Sequence, residues 1–192
     1  MIGPSDAGIF RHVTVSSVHR NRLPCRIATV GQTACVSFSC ELDIPVRRGM
    51  VLVSPEVAPA ACYEFEADIY LLFHAGCLSS KFQTVVHVGN VRQTACIVRM
   101  NKGSIRTNEK ASVTFRFRNR PEYIRNGTRL LFREGKTKGM GEVTRVHTCL
   151  VEESAFNEEE ERWVERFSFA KPKTVYFEWL HQSVDLPANL WF

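Results

Sequence analysis

The sequence predicts an all-β protein, with a partial β-barrel first, a complete antiparallel β-barrel second and a less determined tail last. Apolar and polar residues alternate along several short segments, as they do in strands with one buried face. Turn-forming residues separate these segments, and no long segment has the periodicity of an amphipathic helix. Of the 192 residues, 44% are hydrophobic and 10% are aromatic, which is enough to form cores.

The strongest local signal is a β-hairpin over residues 129–146, with the sequence RLLFREGKTKGMGEVTRV. Leu130 and Phe132 occupy alternate positions of its first strand, and Val143 belongs to the second. Between them lies a glycine-rich turn, residues 134–141. Alternation on both sides of such a turn is typical of a hairpin.

The hairpin is predicted to close a complete barrel formed by residues 62–148. The other strands are expected at residues 63–74, 81–89, 91–100 and 111–118. Alternation predicts that Phe65, Ala67, Ile69, Leu71, Val113, Phe115 and Phe117 face inward and that Ser112, Thr114, Arg116 and Arg118 face outward. About six short strands without a long helix indicate an antiparallel barrel.

Residues 1–55 are predicted to form a partial barrel, followed by a linker at residues 56–61. Short strands are expected at residues 10–19, 25–30, 33–39 and 48–55. Missing strands would leave an open edge. A small independent hairpin sheet is the alternative.

Five segments carry a resemblance to a known family. They are RRGMVLVSP, FEADIYLLFHA, VVHVGNVRQTA, FRFRNRPEYI and LLFREGKTKG. Together they resemble the GTP-binding protein 1 and 2 group of elongation-factor-Tu-like translational GTPases, over residues 10–146. The resemblance implies domains two and three of such a protein. It also implies that full-length relatives bind GTP and magnesium through a G domain.

This chain is predicted neither to bind nor to hydrolyse GTP by itself. A phosphate-binding loop needs G-x-x-x-x-G-K-[ST], but Leu130 stands five residues before Gly135 where that motif has glycine. In the sequence NKGS, Ser104 replaces the acidic residue with which the family reads guanine. No cofactor and no catalytic residues are therefore assigned, although the family is one of GTPases.

No metal site is predicted, because the six histidines are scattered and no two of the seven cysteines form a C-x-x-C pair. The odd number of cysteines indicates free thiols in a reducing compartment. No signal peptide or apolar span of membrane length is present in the sequence. A cytoplasmic protein without a membrane partner is expected.

The charge is uneven, and the basic part of the chain is the candidate for binding nucleic acid. The net charge is +5, with −5 in residues 148–192 and +10 in the rest. The resemblance implies contacts with the RNA backbone of tRNA or ribosomal RNA through Lys81, Arg92, Thr94, Glu134 and Gly135, and we add Lys136 and Lys138 from the same turn.

Two alternatives to RNA binding remain open. Arg116 and Arg118 are interpreted as part of a solvated charged face. The whole barrel could instead bind a protein through an exposed edge. Salt separates these functions, because RNA binding weakens steeply as salt rises and an apolar interface does not.

Residues 149–192 form an acidic and then aromatic tail, for which disorder is one alternative. Phe156, Trp163 and Phe167 have near-helical spacing, and residues 175–180 suit a strand or a partner-binding segment. Two interpretations stay open. The tail is an alternative C-terminus unrelated to the fold, or its aromatic residues dock on the incomplete barrel.

Overall fold

A computed structural model describes residues 1–39, 42, 44–148, 175–178 and 184–185. It divides into two compact units. The first comprises Met1–Ile2, Arg11–Val46 and Glu152–Phe192, and the second comprises Gly3–Phe10 and Arg47–Val151. Residues 47–61, which the sequence analysis divided between a partial barrel and a linker, thus group with the second unit.

The described residues form strands and one 3-10 turn, Pro55–Val57, with no α-helix among them. In chain order the strands are β1 Ile2–Gly3, β2 Val15–Arg20, β3 Leu23–Pro24, β4 Ile27–Ala28, β5 Thr33–Phe38, β6 Val51–Leu52, β7 Cys62–Phe73, β8 Leu78–Ser79, β9 Gln83–Val88, β10 Val91–Met100, β11 Ser104–Ile105, β12 Lys110–Phe117, β13 Arg129–Glu134, β14 Thr137–Thr148, β15 Val175–Glu178 and β16 Val184–Asp185. The predicted all-β class is confirmed.

Six strands of the second unit close into an antiparallel barrel in the order β10-β12-β7-β14-β13-β9, which confirms the predicted barrel. Its core contains four phenylalanines whose rings pack against one another. Phe65 lies 5.4 Å from Phe115 and 5.2 Å from Phe117 between ring centroids, and Phe115 lies 6.0 Å from Phe132. All four rings are buried, so the closed barrel is a filled core without free strand edges.

The predicted alternation holds for β7 and for β12 with one exception. Thr114 was expected to face solvent but is only 7% exposed. The register places it between Glu66 of β7 and Arg99 of β10, beside a bulge in β10. These longer neighbours cover the small threonine.

The hairpin of β13 and β14 is confirmed, but its turn is shorter than predicted. Glu134 pairs with Thr137, which leaves Gly135 and Lys136 as the two turn residues, and Gly135 has φ +56°. Gly139 and Gly141 lie within β14 instead. A Cβ atom at Gly139 would come within 2.0 Å of the Phe132 ring, so this glycine makes room for a core side chain.

The first unit contains a four-stranded sheet in the order β15-β5-β2-β3, and a separate pair of β4 with β16. The buried apolar residues of its strands β2, β4 and β5 are small: Val18, Ala28, Ala34 and Val36. The pairing of β15 with β5 supports docking of the aromatic tail segment on the incomplete sheet. The segment of near-helical spacing lies outside the described residues.

Three predicted N-terminal strands are shorter than expected. The strand expected at residues 10–19 is limited to Val15–Arg20. The strand expected at residues 25–30 is limited to Ile27–Ala28, because a turn follows in which the N–H of Gln32 donates to the Thr29 carbonyl. The strand expected at residues 48–55 is limited to Val51–Leu52. Gly49, at φ +95°, precedes it, and the 3-10 turn follows.

Candidate nucleic-acid interface

A row of outward-facing residues crosses four neighbouring strands of the barrel and ends at the residue that directly follows β12. Its members, in spatial order, are Arg118, Thr94, Val85, Arg133 and Lys138. Thr94 is opposite Val85, Val85 is opposite Arg133, and Arg133 is opposite Lys138. The N–H of Arg118 donates to the Thr94 carbonyl at 3.0 Å, which fixes the end of the row. At about 4.8 Å between strands, the row spans about 19 Å.

The three cations of this row are exposed, and none has an ion-pair partner among the residues that the structure describes. Arg133 and Lys138 face each other directly across two strands. Like charges in this position repel and destabilise a sheet. An anion bound between them would remove that repulsion.

Arg92 lies in the next outward row, opposite His87 of β9. His87 is in turn opposite Leu131, and Leu131 is opposite Met140. The Leu131 and Met140 residues are 57% and 44% exposed. This second row is therefore cationic at one end and apolar at the other.

The remaining predicted residues lie toward one end of the barrel. Arg133 pairs with Val85, so the chain beyond Arg133 runs toward the start of β9, where Lys81 is located. Lys81 has φ +69°, and its N–H donates to the Ile97 carbonyl at 2.7 Å. Ile97 is five positions along β10 from Arg92, or about 17 Å. The structure thus brings Lys81 near the Gly135 turn rather than near Arg92.

A cavity of about 260 Å³ opens beside Arg92 and Thr94. It is lined by Arg48, Val85, Arg92, Gln93, Thr94, Asn119, Arg120 and Glu122. Three of these residues are arginines, and Glu122 is the one acid among them. The cavity therefore extends the basic surface of the two rows.

Gln93 holds the segment that carries Arg120. Its side-chain oxygen accepts hydrogen bonds from the backbone N–H groups of Asn119 and Arg120, both at 2.9 Å. Its side-chain nitrogen donates to the Arg120 carbonyl and to Glu122 Oε1, both at 3.1 Å. All polar atoms of a nearly buried amide are thus used to fix one loop at the cavity.

Glu122 and Asp6 hold the arginines around this loop. Arg47 Nη1 donates to both oxygens of the buried Glu122 carboxylate at 3.0 Å. Burial raises the pKa of Glu122, while Arg47 and Arg120 act in the opposite direction. The hydrogen bond from Arg120 lowers the pKa of Asp6, which also accepts from Arg47 Nε at 3.0 Å.

Comparison with known proteins places this barrel in a sequence group. No family model matches the chain. It is 48% identical to GTP-binding protein 2 of Homo sapiens over 158 residues, covering 82% of this chain and 26% of that protein. It is 42% identical to GTP-binding protein 1 of Xenopus laevis over 146 residues, covering 76% of this chain and 22% of that protein. The chain is a homologue of the GTP-binding protein 1 and 2 group.

The match covers most of this chain but only part of each relative in the GTP-binding protein 1 and 2 group. The chain spans about a quarter of the length of the human and mouse relatives, 26% of each. The identities of 42–48% confirm the resemblance to this group that was noted in the sequence. Separately, none of the described residues belongs to a helix long and apolar enough to cross a membrane.

Of the residues in the basic row, the resemblance to the GTP-binding protein 1 and 2 group implied Thr94 and the turn added Lys138, but neither identified Arg133. Arg133 directly follows the inward-facing Phe132, so alternation alone could have identified it as an outward-facing cation. Arg116 and Arg118 also differ in their surroundings. Arg116 is ion-paired with Glu64 at 3.6 Å, whereas Arg118 extends the basic row. Sequence reasoning treated both as one solvated face.

Proposed function

We propose that this chain is an RNA-backbone-binding module of a GTP-binding protein, with tRNA or ribosomal RNA as its ligand. The observation that carries the proposal is the row of exposed cations on the closed barrel, in which Arg133 and Lys138 face each other without a counter-charge in the described part of the chain. The resemblance of five sequence segments to elongation-factor-Tu-like translational GTPases is the reason for proposing a role in translation or ribosome surveillance.

Phosphates are the ligand that this surface fits best. Cations on rigid strands can contact successive phosphates without losing much conformational freedom, and each contact releases counterions from the RNA. Thr94 can add a hydroxyl donor in the same row, and the cavity beside it adds Arg48 and Arg120. Such contacts read the shape of an RNA helix rather than its sequence.

The binding of GTP is not assigned to this chain. The relatives are named as GTP-binding proteins, and this chain has no phosphate-binding loop. We therefore propose that GTP and magnesium bind in a G domain, within the part of the relatives that the chain does not match. The barrel would supply the RNA contact.

The second candidate function is protein binding, and a specific surface favours it. Leu131 and Met140 form an exposed apolar pair next to the basic row, with Phe73 44% exposed on the neighbouring strand β7. Exposed apolar groups of this kind occur at protein interfaces. RNA binding should weaken steeply as the salt concentration rises, whereas an apolar protein interface should not.

The test replaces the opposed cations, Arg133→Ala with Lys138→Ala, and measures binding to a labelled RNA duplex by fluorescence anisotropy at two salt concentrations. Losing two phosphate contacts should weaken binding by about 1–3 kcal/mol for every duplex sequence. The slope of log affinity against log salt should become shallower by about two.

The matched control is Lys102→Ala with Lys110→Ala. These two exposed lysines lie at the connection of β10 to β12, where Lys102 Nζ donates to the Lys110 carbonyl at 2.9 Å. The control changes the net charge equally. An equal loss of RNA affinity in both double variants would mean that net charge alone binds RNA. RNA affinity that does not depend on salt would contradict phosphate binding and favour the protein interface.

A further inference from the structure

The outer edge of β5 in the first unit is covered by a strand from the opposite end of the chain. β5 pairs with β2 along one side and with β15 along the other. Four residues of β15 are in register: Val175 opposite Val36, Tyr176 opposite Cys35, Phe177 opposite Ala34 and Glu178 opposite Thr33. The ladder is antiparallel, which gives backbone hydrogen bonds without a requirement for nearby sequence.

We propose that the β5 edge is a strand-acceptor site and that residues 175–178 of the same chain are its occupant. The site takes a short extended segment in the order apolar, any, apolar, acidic. Filling it completes a sheet that the N-terminal strands do not complete by themselves.

The register supports this occupant. Val36 and Ala34 are the two buried positions of β5, and the apolar residues Val175 and Phe177 are the ones placed opposite them. Thr33 is exposed, and the residue opposite it is the charged Glu178. An offset of one residue would exchange these two classes, so the pattern selects the observed register.

The size of the sheet explains why an added strand matters. Among the described N-terminal strands of the first unit, β3 and β4 have two residues each, whereas β2 and β5 have six. A two-stranded hairpin is marginally stable in water, and an exposed edge invites pairing with other chains. The four-residue strand β15 adds a third strand beside β2 and β5. β16 pairs with β4 and attaches the tail at a second place.

A cross-link tests the site directly in the full chain. Tyr176 lies opposite the native Cys35, so Tyr176→Cys places two thiols across an antiparallel pair. Opposed Cα atoms in such a pair are about 4.5–5.5 Å apart, within the range of about 4.4–6.8 Å that disulfides accept. Mild oxidation with oxidised glutathione should join these two cysteines in most molecules, and peptide mapping by mass spectrometry should identify the link.

The matched control is Phe177→Cys, which places the new thiol opposite Ala34 instead. It should form the Cys35 link at least tenfold more slowly. If Tyr176→Cys disturbs folding, the pair Thr33→Cys and Glu178→Cys tests the same register at an exposed position. Equal linking of both single variants, no linking, or a link between two chains would each overturn the proposal.

Discussion

The barrel and the N-terminal sheet are built from similar strands but solve the problem of strand edges differently. In the barrel six strands pair in a closed ring, and two of them, β7 and β14, have twelve residues each. The sheet of the first unit has no strand longer than six residues among those described. Its outer edge is filled by β15, which is far away in sequence.

This difference shows where a rigid binding surface can form. Closure buries four phenylalanine rings and fixes the register of every barrel strand, so the cations on its outer face have set positions. Strands β2, β4 and β5 of the first unit bury the small residues Val18, Ala28, Ala34 and Val36. The N-terminal sheet gains backbone pairing from the distant strand β15, and its small buried residues make it poorly suited to position ligand contacts.

The largest expected effect comes from opening a cavity in the barrel. Phe115 is fully buried between Phe65 and Phe132, so Phe115→Ala removes most of a ring contact and should reduce the free energy of unfolding by about 3–5 kcal/mol. Urea denaturation followed by amide exchange should show lower protection in β7, β12 and β13. The sheet of the first unit should retain its protection.

The matched variant in the sheet is Phe38→Ala, because Phe38 is half-buried at the end of β5. Its loss should be clearly smaller and limited to β2 and β5. An equal or larger loss than in Phe115→Ala would mean that the sheet has a core as complete as that of the barrel. The contrast between the regions would then be wrong.

The sequence predicted the barrel well because its strands carry local signals. Alternation along β7 and β12 and a turn between β13 and β14 follow from side-chain period and glycine position alone. The sequence also predicted a strand or partner-binding segment at residues 175–180, but no local signal identifies β5 as its partner, because the two strands are far apart in sequence. The short strand β4 was overestimated because a turn at Thr29 ends it.

A medium effect is expected at the loop that closes the cavity. Gln93→Ala leaves the N–H groups of Asn119 and Arg120 without the acceptor that now lies 2.9 Å from each. Stranding such groups costs about 1–3 kcal/mol. Thermal unfolding should show the loss, and amide exchange should increase at both loop residues.

Gln83→Ala is the matched control, because Gln83 is exposed on the adjacent strand β9. It should leave stability and loop exchange almost unchanged. If Gln83→Ala were as harmful as Gln93→Ala, the cost would come from the strand surface rather than from the loop. The idea that a buried amide organises the cavity would then fail.

The candidate site was only partly accessible from sequence. Resemblance identified Arg92 and Thr94, but the row that joins Thr94 to Arg133 and Arg118 depends on register across strands. The loop held by Gln93 and Glu122 was missed for a similar reason. A glutamine and a glutamate separated in sequence become partners only after the barrel closes.

The smallest effect concerns an exposed ion pair and its pH dependence. Asp6 is 69% exposed at its side chain and lies 2.9 Å from Arg120 and 3.0 Å from Arg47. The hydrogen bond from Arg120 is the largest cause that lowers the pKa of Asp6 below its usual 3.8. Since the folded pKa is the lower one, the stabilisation is complete above pH 3.8 and is lost as the pH falls through the folded value.

Asp6→Asn should therefore lower stability by less than about 1 kcal/mol at pH 7, because exposed pairs are screened. The difference in stability from the parent chain should shrink in 0.5 M salt, because salt at this concentration screens charges over roughly 5 Å. It should also vanish in strong acid, where the parent carboxylate is protonated. Calorimetry at pH 7, in 0.5 M salt and in strong acid measures this difference in stability.

The control variant is Glu56→Gln. It removes one exposed charge that has no ion pair among the described residues, and it should change stability little at any of the three conditions. A loss in Asp6→Asn that persists in acid would show that Asp6 acts through hydrogen bonds that asparagine cannot replace, because the charge would then be irrelevant.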